Sequence, residues 1–195
     1  MQLPARDRVC LTDGAITLRP VRLEDAEEFV EAINESLAEL KPWMSFAQEP
    51  ATLPGIRAWI EAQPAFWERG VNFAFAVLSV EDAEGKTTLL GGCGFNAFNP
   101  LHRLANLVYW VRTSHSGRGI ATRLVPLLAR FGFQDLQLSR IEIVVATGNR
   151  ASLRVAEKVG ARREGLLRNR ILIGETLQEA VMHSLIPGDF DPGRK

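Results

Sequence analysis

The apolar positions along the chain change their period several times, and each change marks a new element. Ile16 and Leu18 alternate with polar neighbours as in a short strand. Over residues 23–40, Phe29, Val30, Ile33, Leu37 and Leu40 recur at helical spacing, and Pro42 stops that helix. A second helix is predicted over 54–69, with Ile56, Trp59, Ile60 and Phe66 on its inner side and Gly70 at its end. Residues 73–80 are continuously apolar, as an internal strand buried on both faces requires, and Glu84-Gly85 turns the chain into a second strand over 87–95. Asn99-Pro100 makes a loop before a strand over 104–112. A helix starting near Gly117 carries Ile120, Leu124, Leu127, Leu128 and Phe131 as one apolar stripe. A strand over 141–146, a short helix over 149–159 ended by Gly160, and a hairpin of 162–173 with 176–186 about Gly174-Glu175 complete the chain. This order predicts an α+β fold: a central mixed, mostly antiparallel sheet of about seven strands flanked by helices.

Composition narrows the class. A chain of 195 residues, 46% hydrophobic and 24% charged, fits one globular domain. Its 23 basic and 23 acidic residues balance, so no global field holds nucleic acid or an anionic membrane. Cys10 and Cys93 are too few and too far apart for a disulfide framework or a zinc site, and no metal is expected. With no signal-peptide pattern in the first ten residues and no long apolar run, the expected setting is the cytoplasm. Residues 187–195, rich in Pro, Gly and charge, are expected to be a mobile tail.

Ser116-Gly117-Arg118-Gly119-Ile120-Ala121 falls between a predicted strand and a helix start. Unpaired N–H groups and the helix dipole favour an anion there, and glycine lets a diphosphate reach the backbone. A P-loop is excluded, because no Gly-Lys followed by Ser or Thr occurs. A dinucleotide fingerprint fits poorly: Thr122 stands at the third glycine position, and Glu142 opens its strand instead of closing it.

With its neighbours, the stretch from Tyr109 through Arg112 and Gly117-Arg118-Gly119 to Thr122 resembles the acetyl-CoA signature of the GNAT superfamily, Arg/Gln-x-x-Gly-x-Gly/Ala. Asn149-Arg150-Ala151-Ser152, Ala156-Glu157-Lys158-Val159-Gly160-Ala161, Glu164-Gly165-Leu166-Leu167-Arg168, Leu18-Arg19-Pro20 and Leu40-Lys41-Pro42-Trp43-Met44 are similar to the RimJ/RimL-like branch, which acetylates ribosomal-protein N-termini. The resemblance implies an acetyltransferase domain over 14–186, preceded by an extension over 1–13. It implies that acetyl-CoA is held by Val111, whose backbone stands where two strands part, by Gly117, Arg118, Gly119, Ile120, Ala121 and Thr122 around the diphosphate, and by Asn149 on the pantetheine arm. It also implies that Ser152 protonates the departing thiolate while an amine attacks the thioester directly, a backbone N–H near Val111 meeting the oxyanion.

The sequence departs from the family pattern in three places. Ser116 replaces the Arg or Gln, leaving Arg118 to compensate; Pro126 lies inside the long helix, where it should bend the axis; and Arg168-Asn169-Arg170-Ile171 has no carboxylate where relatives often carry one. The general base is therefore unassigned, with Glu39, Glu164 and Glu175 candidates by residue type only. Trp43, Phe46 and Trp110 are candidates to line an amine pocket, while His102, His115 and His183 read as structural or surface residues. The expected acceptor is an amine, with a protein or peptide N-terminus first and a small amine such as an antibiotic or polyamine as the alternative. A non-catalytic acyl-CoA sensor remains open, as does the choice between monomer and homodimer.

Overall fold

The computed structural model describes residues 3–81 and 83–190. Eight strands form one sheet: β1 (Leu11–Thr12), β2 (Ile16–Pro20), β3 (Phe73–Ser79), β4 (Leu89–Asn99), β5 (Leu104–Val111), β6 (Arg140–Ala146), β7 (Arg162–Ile173) and β8 (Thr176–Leu185). Their order is β1-β2-β3-β4-β5-β6-β8-β7, and β5–β6 is the one parallel pair among them. Five α-helices are interleaved: α1 (Ala26–Glu35), α2 (Leu37–Leu40), α3 (Leu53–Glu68), α4 (Ile120–Gln134) and α5 (Arg150–Lys158). The α+β expectation holds, with one strand more than anticipated. That strand, β1, is two residues long, too short for any period, and its turn into β2 is held by Asp13 Oδ1 accepting from the N–H groups of Ala15 and Ile16.

The sheet is covered on both faces. Phe73, Phe75 and Val77 of β3 pack with Leu124, Leu128 and Phe131 of α4, while Ala74, Ala76 and Leu78 pack with Phe29 and Ile33 of α1 and Ile60 of α3. This accounts for the unbroken apolar run of β3. Each fully buried Leu or Phe in these layers stabilises by about 1.5–3 kcal/mol. α4 runs through Pro126 without ending, because the proline removes only one rung and the buried stripe holds the remainder. Pro187–Phe190 form a 3-10 turn whose Phe190 ring lies 5.7 Å from that of Phe133. The rest of the expected tail, 191–195, lies outside the described residues.

One helix differs from the expected pattern. Residues 23–40 are not a single helix: a 3-10 turn (Leu23–Asp25) precedes α1, and Ser36 interrupts before α2. The interruption serves a tertiary contact that no helical period encodes. Ser36 Oγ accepts the N–H of Thr113 at 3.0 Å, and Glu35 accepts from Arg112 Nε at 2.6 Å and from the N–H of Ser114 at 2.8 Å. The end of α1 thus fixes the loop that leads from β5 towards α4.

Ser114, through its hydroxyl and N–H, and then Arg112 hold the Glu35 carboxyl at about 2, below its ordinary 4.5. The unfolded chain takes up this proton first, so the contribution is complete above about pH 4.5 and is lost as pH falls towards 2. Urea unfolding between about pH 5 and 3 should therefore show wild-type stability falling with acid, and Glu35→Gln should flatten that slope. Equal slopes would remove Glu35 as the anchor.

Candidate active site

The site begins where two strands part. β5 and β6 pair only through Leu104–Arg140, Ala105–Ile141 and Asn106–Glu142. Beyond them β5 stays with β4 as far as Val111–Gly91, and β6 stays with β8 as far as Ala146–Ala180. A bulge in β4 strengthens the twist on the separated side: Val77 pairs with Gly91 and Leu78 with Leu89, leaving Leu90 extra. Gly91 is required there, since a Cβ would lie 2.2 Å from the Trp110 carbonyl oxygen. Arg112 donates its N–H to the Leu90 carbonyl at 2.8 Å, so by strand alternation Tyr109 and Val111 turn their backbone groups towards the gap.

The turn into α4 is bare. Gly117 and Gly119 have φ +76° and +79°, a region that favours glycine, and a Cβ on either would meet no atom within 4 Å. Among the described residues no side chain caps α4, and its first helical bond runs from the N–H of Arg123 to the Gly119 carbonyl at 3.1 Å. The N–H groups of Ile120, Ala121 and Thr122 therefore remain open to an anion. An open cradle of main-chain donors at a helix start fits a diphosphate.

A cavity of about 570 Å³ joins the gap, this turn and α5. Trp43, Trp110, Val111, Gly117, Gly119, Ile120, Ala121, Thr122, Asn149 and Ser152 all line it. Arg118 does not; it is exposed outside the wall. Instead α5 contributes Arg154 and Lys158, one turn apart on the same stripe as Ala151 and Val155, and neither is in an ion pair among the described residues. That stripe was readable as helical spacing, but which way it faced was not.

A second cavity of about 560 Å³ lies beyond the parted strands, bounded by Phe46, β6 and residues Arg170–Ile173 of β7. It shares Trp43, Met44, Tyr109, Asn149 and Ser152 with the first. Trp43 lies against the β6–α5 loop, where a Cβ on Gly148 would come within 3.0 Å of its ring. Phe46 borders only the second cavity of the two, 53% exposed, and its ring centroid is 6.4 Å from that of Trp110.

At the shared wall stands a residue to which the sequence reading gave no role. Tyr109 Oη is 2.8 Å from Ser152 Oγ, and Asn149 Oδ1 caps α5 by accepting the Ser152 N–H at 3.0 Å. Burial raises the Tyr109 phenol above its ordinary range, with the Ser152 contact opposing, so the hydroxyl stays protonated near neutrality. A signal existed: Tyr109 is the chain's single tyrosine, two residues before Val111 and therefore on its side of the strand.

The carboxylate candidates separate clearly. Glu39 lines the first cavity and accepts from Thr113 Oγ1 at 3.2 Å. Glu164 lines neither cavity; Arg140 grips it at 2.7 and 2.5 Å and Ser184 at 2.7 Å, holding it at about 2, too acidic for a base at neutral pH. Glu175 sits at the exposed tip of the β7–β8 hairpin, also outside both. His115, expected to be structural or on the surface, borders the first cavity, its pKa lowered by burial and then by Arg118 and Arg112. Among the described residues no group of His, Cys, Asp and Glu could hold a metal.

Comparison with known proteins gives the arrangement a family. The model of the acetyltransferase (GNAT) domain matches residues 15–162. Among curated proteins, "Probable N-acetyltransferase YjcK" of Bacillus subtilis (strain 168) is 29% identical, covering 92% of this chain and 98% of the relative. The [ribosomal protein uS5]-alanine N-acetyltransferase of Escherichia coli (strain K12) is 23% identical over 96% and 95%, and the spermidine N(1)-acetyltransferase of the same strain 22% over 86% and 83%. A crystal structure of a probable acetyltransferase superposes with TM-score 0.83 at 25% identity, covering 93% of this chain and 99% of that one. The chain belongs to the GNAT acetyltransferase family, is RimJ/RimL-like within it, and is an acetyl-CoA-dependent N-acetyltransferase.

Proposed function

We propose that the chain acetylates the N-terminal α-amine of a protein or peptide, through one catalytic domain over residues 14–186, with acetyl-CoA in the first cavity and the acceptor in the second. The observation that carries this reading is that the two cavities meet at the Tyr109–Ser152 hydroxyl pair, where a thioester entering from one side would face an amine entering from the other. Acetyl-CoA supplies the acetyl group as an activated thioester. Main-chain N–H groups from Gly117 to Thr122 hold the diphosphate, the Val111 backbone aligns the pantetheine arm and meets the carbonyl oxygen, and the Asn149 amide lies alongside. Arg154 and Lys158 provide charge at the cofactor end, a task that the sequence had suggested for Arg118. Ser152 gives its proton to the leaving sulfur and regains one through Tyr109, whose phenol recovers its own from solvent.

Among the described residues no carboxylate lies on the second cavity's wall, which bears on the acceptor. An α-amine, with a pKa near 7.7–8.0, is neutral in on the order of a tenth of molecules at pH 7; an alkylamine near 10.4 is neutral in fewer than about one in a thousand. A site without a close base suits the first, and water can carry off the proton. A wall without acid also offers a polyamine nothing to pair with its further charges. Trp43 and Phe46 bound the acceptor cavity, while Trp110 lines the first cavity, its ring 6.4 Å from that of Phe46. A cytoplasmic setting agrees with Cys10 and Cys93 being free thiols and with a relative named for a ribosomal protein.

Thiol release should be seen with acetyl-CoA and peptides bearing a free N-terminus, and kcat/KM should rise with pH up to about 8, following the acceptor amine. Turnover of spermidine alone, with every peptide silent, would overturn the peptide reading. Ser152→Ala should lower kcat about 100-fold with little change in the KM of acetyl-CoA, and Tyr109→Phe about tenfold. Gly119→Ala should raise that KM at least about tenfold, because a Cβ at φ +79° costs about 1–2 kcal/mol and enters the open cradle; circular dichroism would verify that the variant is folded.

A further inference from the structure

The second cavity has an unbalanced charge. Ser45, Asn96 and Asn106 give it neutral polar groups, and among the described residues Arg170 is the one charged side chain on its wall. Arg170 makes no ion pair and no hydrogen bond within the described residues. A guanidinium at a cavity wall without a partner is a ready receptor for a planar anion, which its fork of donors can bind at two points.

The backbone is built to present it. β7 pairs Leu167 with Ala180 and then Ile171 with Gln178, so Arg168, Asn169 and Arg170 stand opposite Glu179 alone. Asn169 takes φ +50°, a left-handed conformation that asparagine tolerates better than most residues. A bulge of this kind turns the side chains beyond it, and here Arg170 lines the cavity while Arg168 does not. The facing wall is also fixed. Gln48 Nε2 donates to the carbonyls of Lys41 and Met44 at 3.0 and 2.8 Å, and its Oε1 is 3.4 Å from where a Cβ on Gly174 would stand. The loop carrying Phe46 therefore rests against the tip of the β7–β8 hairpin, with Arg170 close to that contact in sequence.

We propose that Arg170 reads a carboxylate on the acceptor, so that the preferred substrate is an amine with an acidic group a short way along the molecule, such as a peptide N-terminus with Asp or Glu at its second or third position. This rests on the second cavity receiving the acceptor. The same chemistry is available from an acidic side chain or from the terminal carboxylate of a free dipeptide, and the two are separable by experiment.

The test is the rate of thiol release from acetyl-CoA with C-terminally amidated peptides carrying Asp, Asn or Lys at the second or third position, together with a free dipeptide and its amide. Wild type should prefer Asp to Asn by about fivefold in kcat/KM, mainly through KM, as one partly exposed ion pair allows, and added salt should shrink the preference. The Lys peptides should be the poorest. Arg170→Gln should bring the Asp and Asn peptides to the same kcat/KM by raising the KM of the Asp peptide, and Arg170→Glu should favour Lys. A preference confined to the free dipeptide over its amide supports the carboxylate reading with the terminal group as its source. Equal use of Asp and Asn peptides and of dipeptide and amide by wild type, or a preference that survives Arg170→Gln, overturns it. Silence with every peptide and dipeptide, while calorimetry still detects acetyl-CoA, overturns the acceptor assignment as well.

Discussion

Everything at the site depends on the parting of β5 from β6. A buried sheet satisfies its amides and carbonyls strand by strand, and parting two strands leaves a row of polar groups that must find other partners. Here the pairing stops after Asn106–Glu142, and the cost is contained because each strand keeps its outer neighbour. The open edge is then a template for an extended ligand with amides of its own, which describes a pantetheine arm. The same parting creates both cavities and lets the helices after β5 and β6 direct their first turns into one of them.

Two kinds of charge management follow from this geometry. At one end of the first cavity the groups that attract an anion are main-chain N–H donors at the start of α4, which need no side-chain rearrangement, and Arg154 and Lys158 bring charge to the same wall from α5. Where the two cavities meet the groups are neutral: the Tyr109 hydroxyl is buried with its phenol pKa raised, and the Ser152 hydroxyl is tied to it. Carboxylates nearby are either tied up structurally, as Glu35 is in fixing the loop before α4 and Glu164 is on Arg140, or stand at the edge, as Glu39 does. The wall of the second cavity offers no carboxylate among the described residues.

Much of this was legible along the chain because it is local. The unbroken run of β3, the stripe of α4, the glycines at 117 and 119 and the asparagine before α5 each express a constraint set by residues a few positions apart. Legibility failed where a distant segment decided. Ser36 interrupts a sound helical period because its side chain serves Thr113, 77 residues on, and β1 exists because β2 offers it an edge. Arg118, next to the right loop in sequence, does not border the cavity, while Arg154 and Lys158 line it from another helix.

The sequence by itself determined most of the element order, the family and the bare turn at the start of α4, since periodicity and positive-φ glycines act over a few residues. Only the tertiary structure decided that Tyr109 meets Ser152 across 43 positions, that Arg140 holds Glu164 outside both cavities, and that a bulge at Asn169 places Arg170 on the wall of the second. Those facts depend on where strands part and how sheets twist, which is settled by the simultaneous packing of the whole molecule.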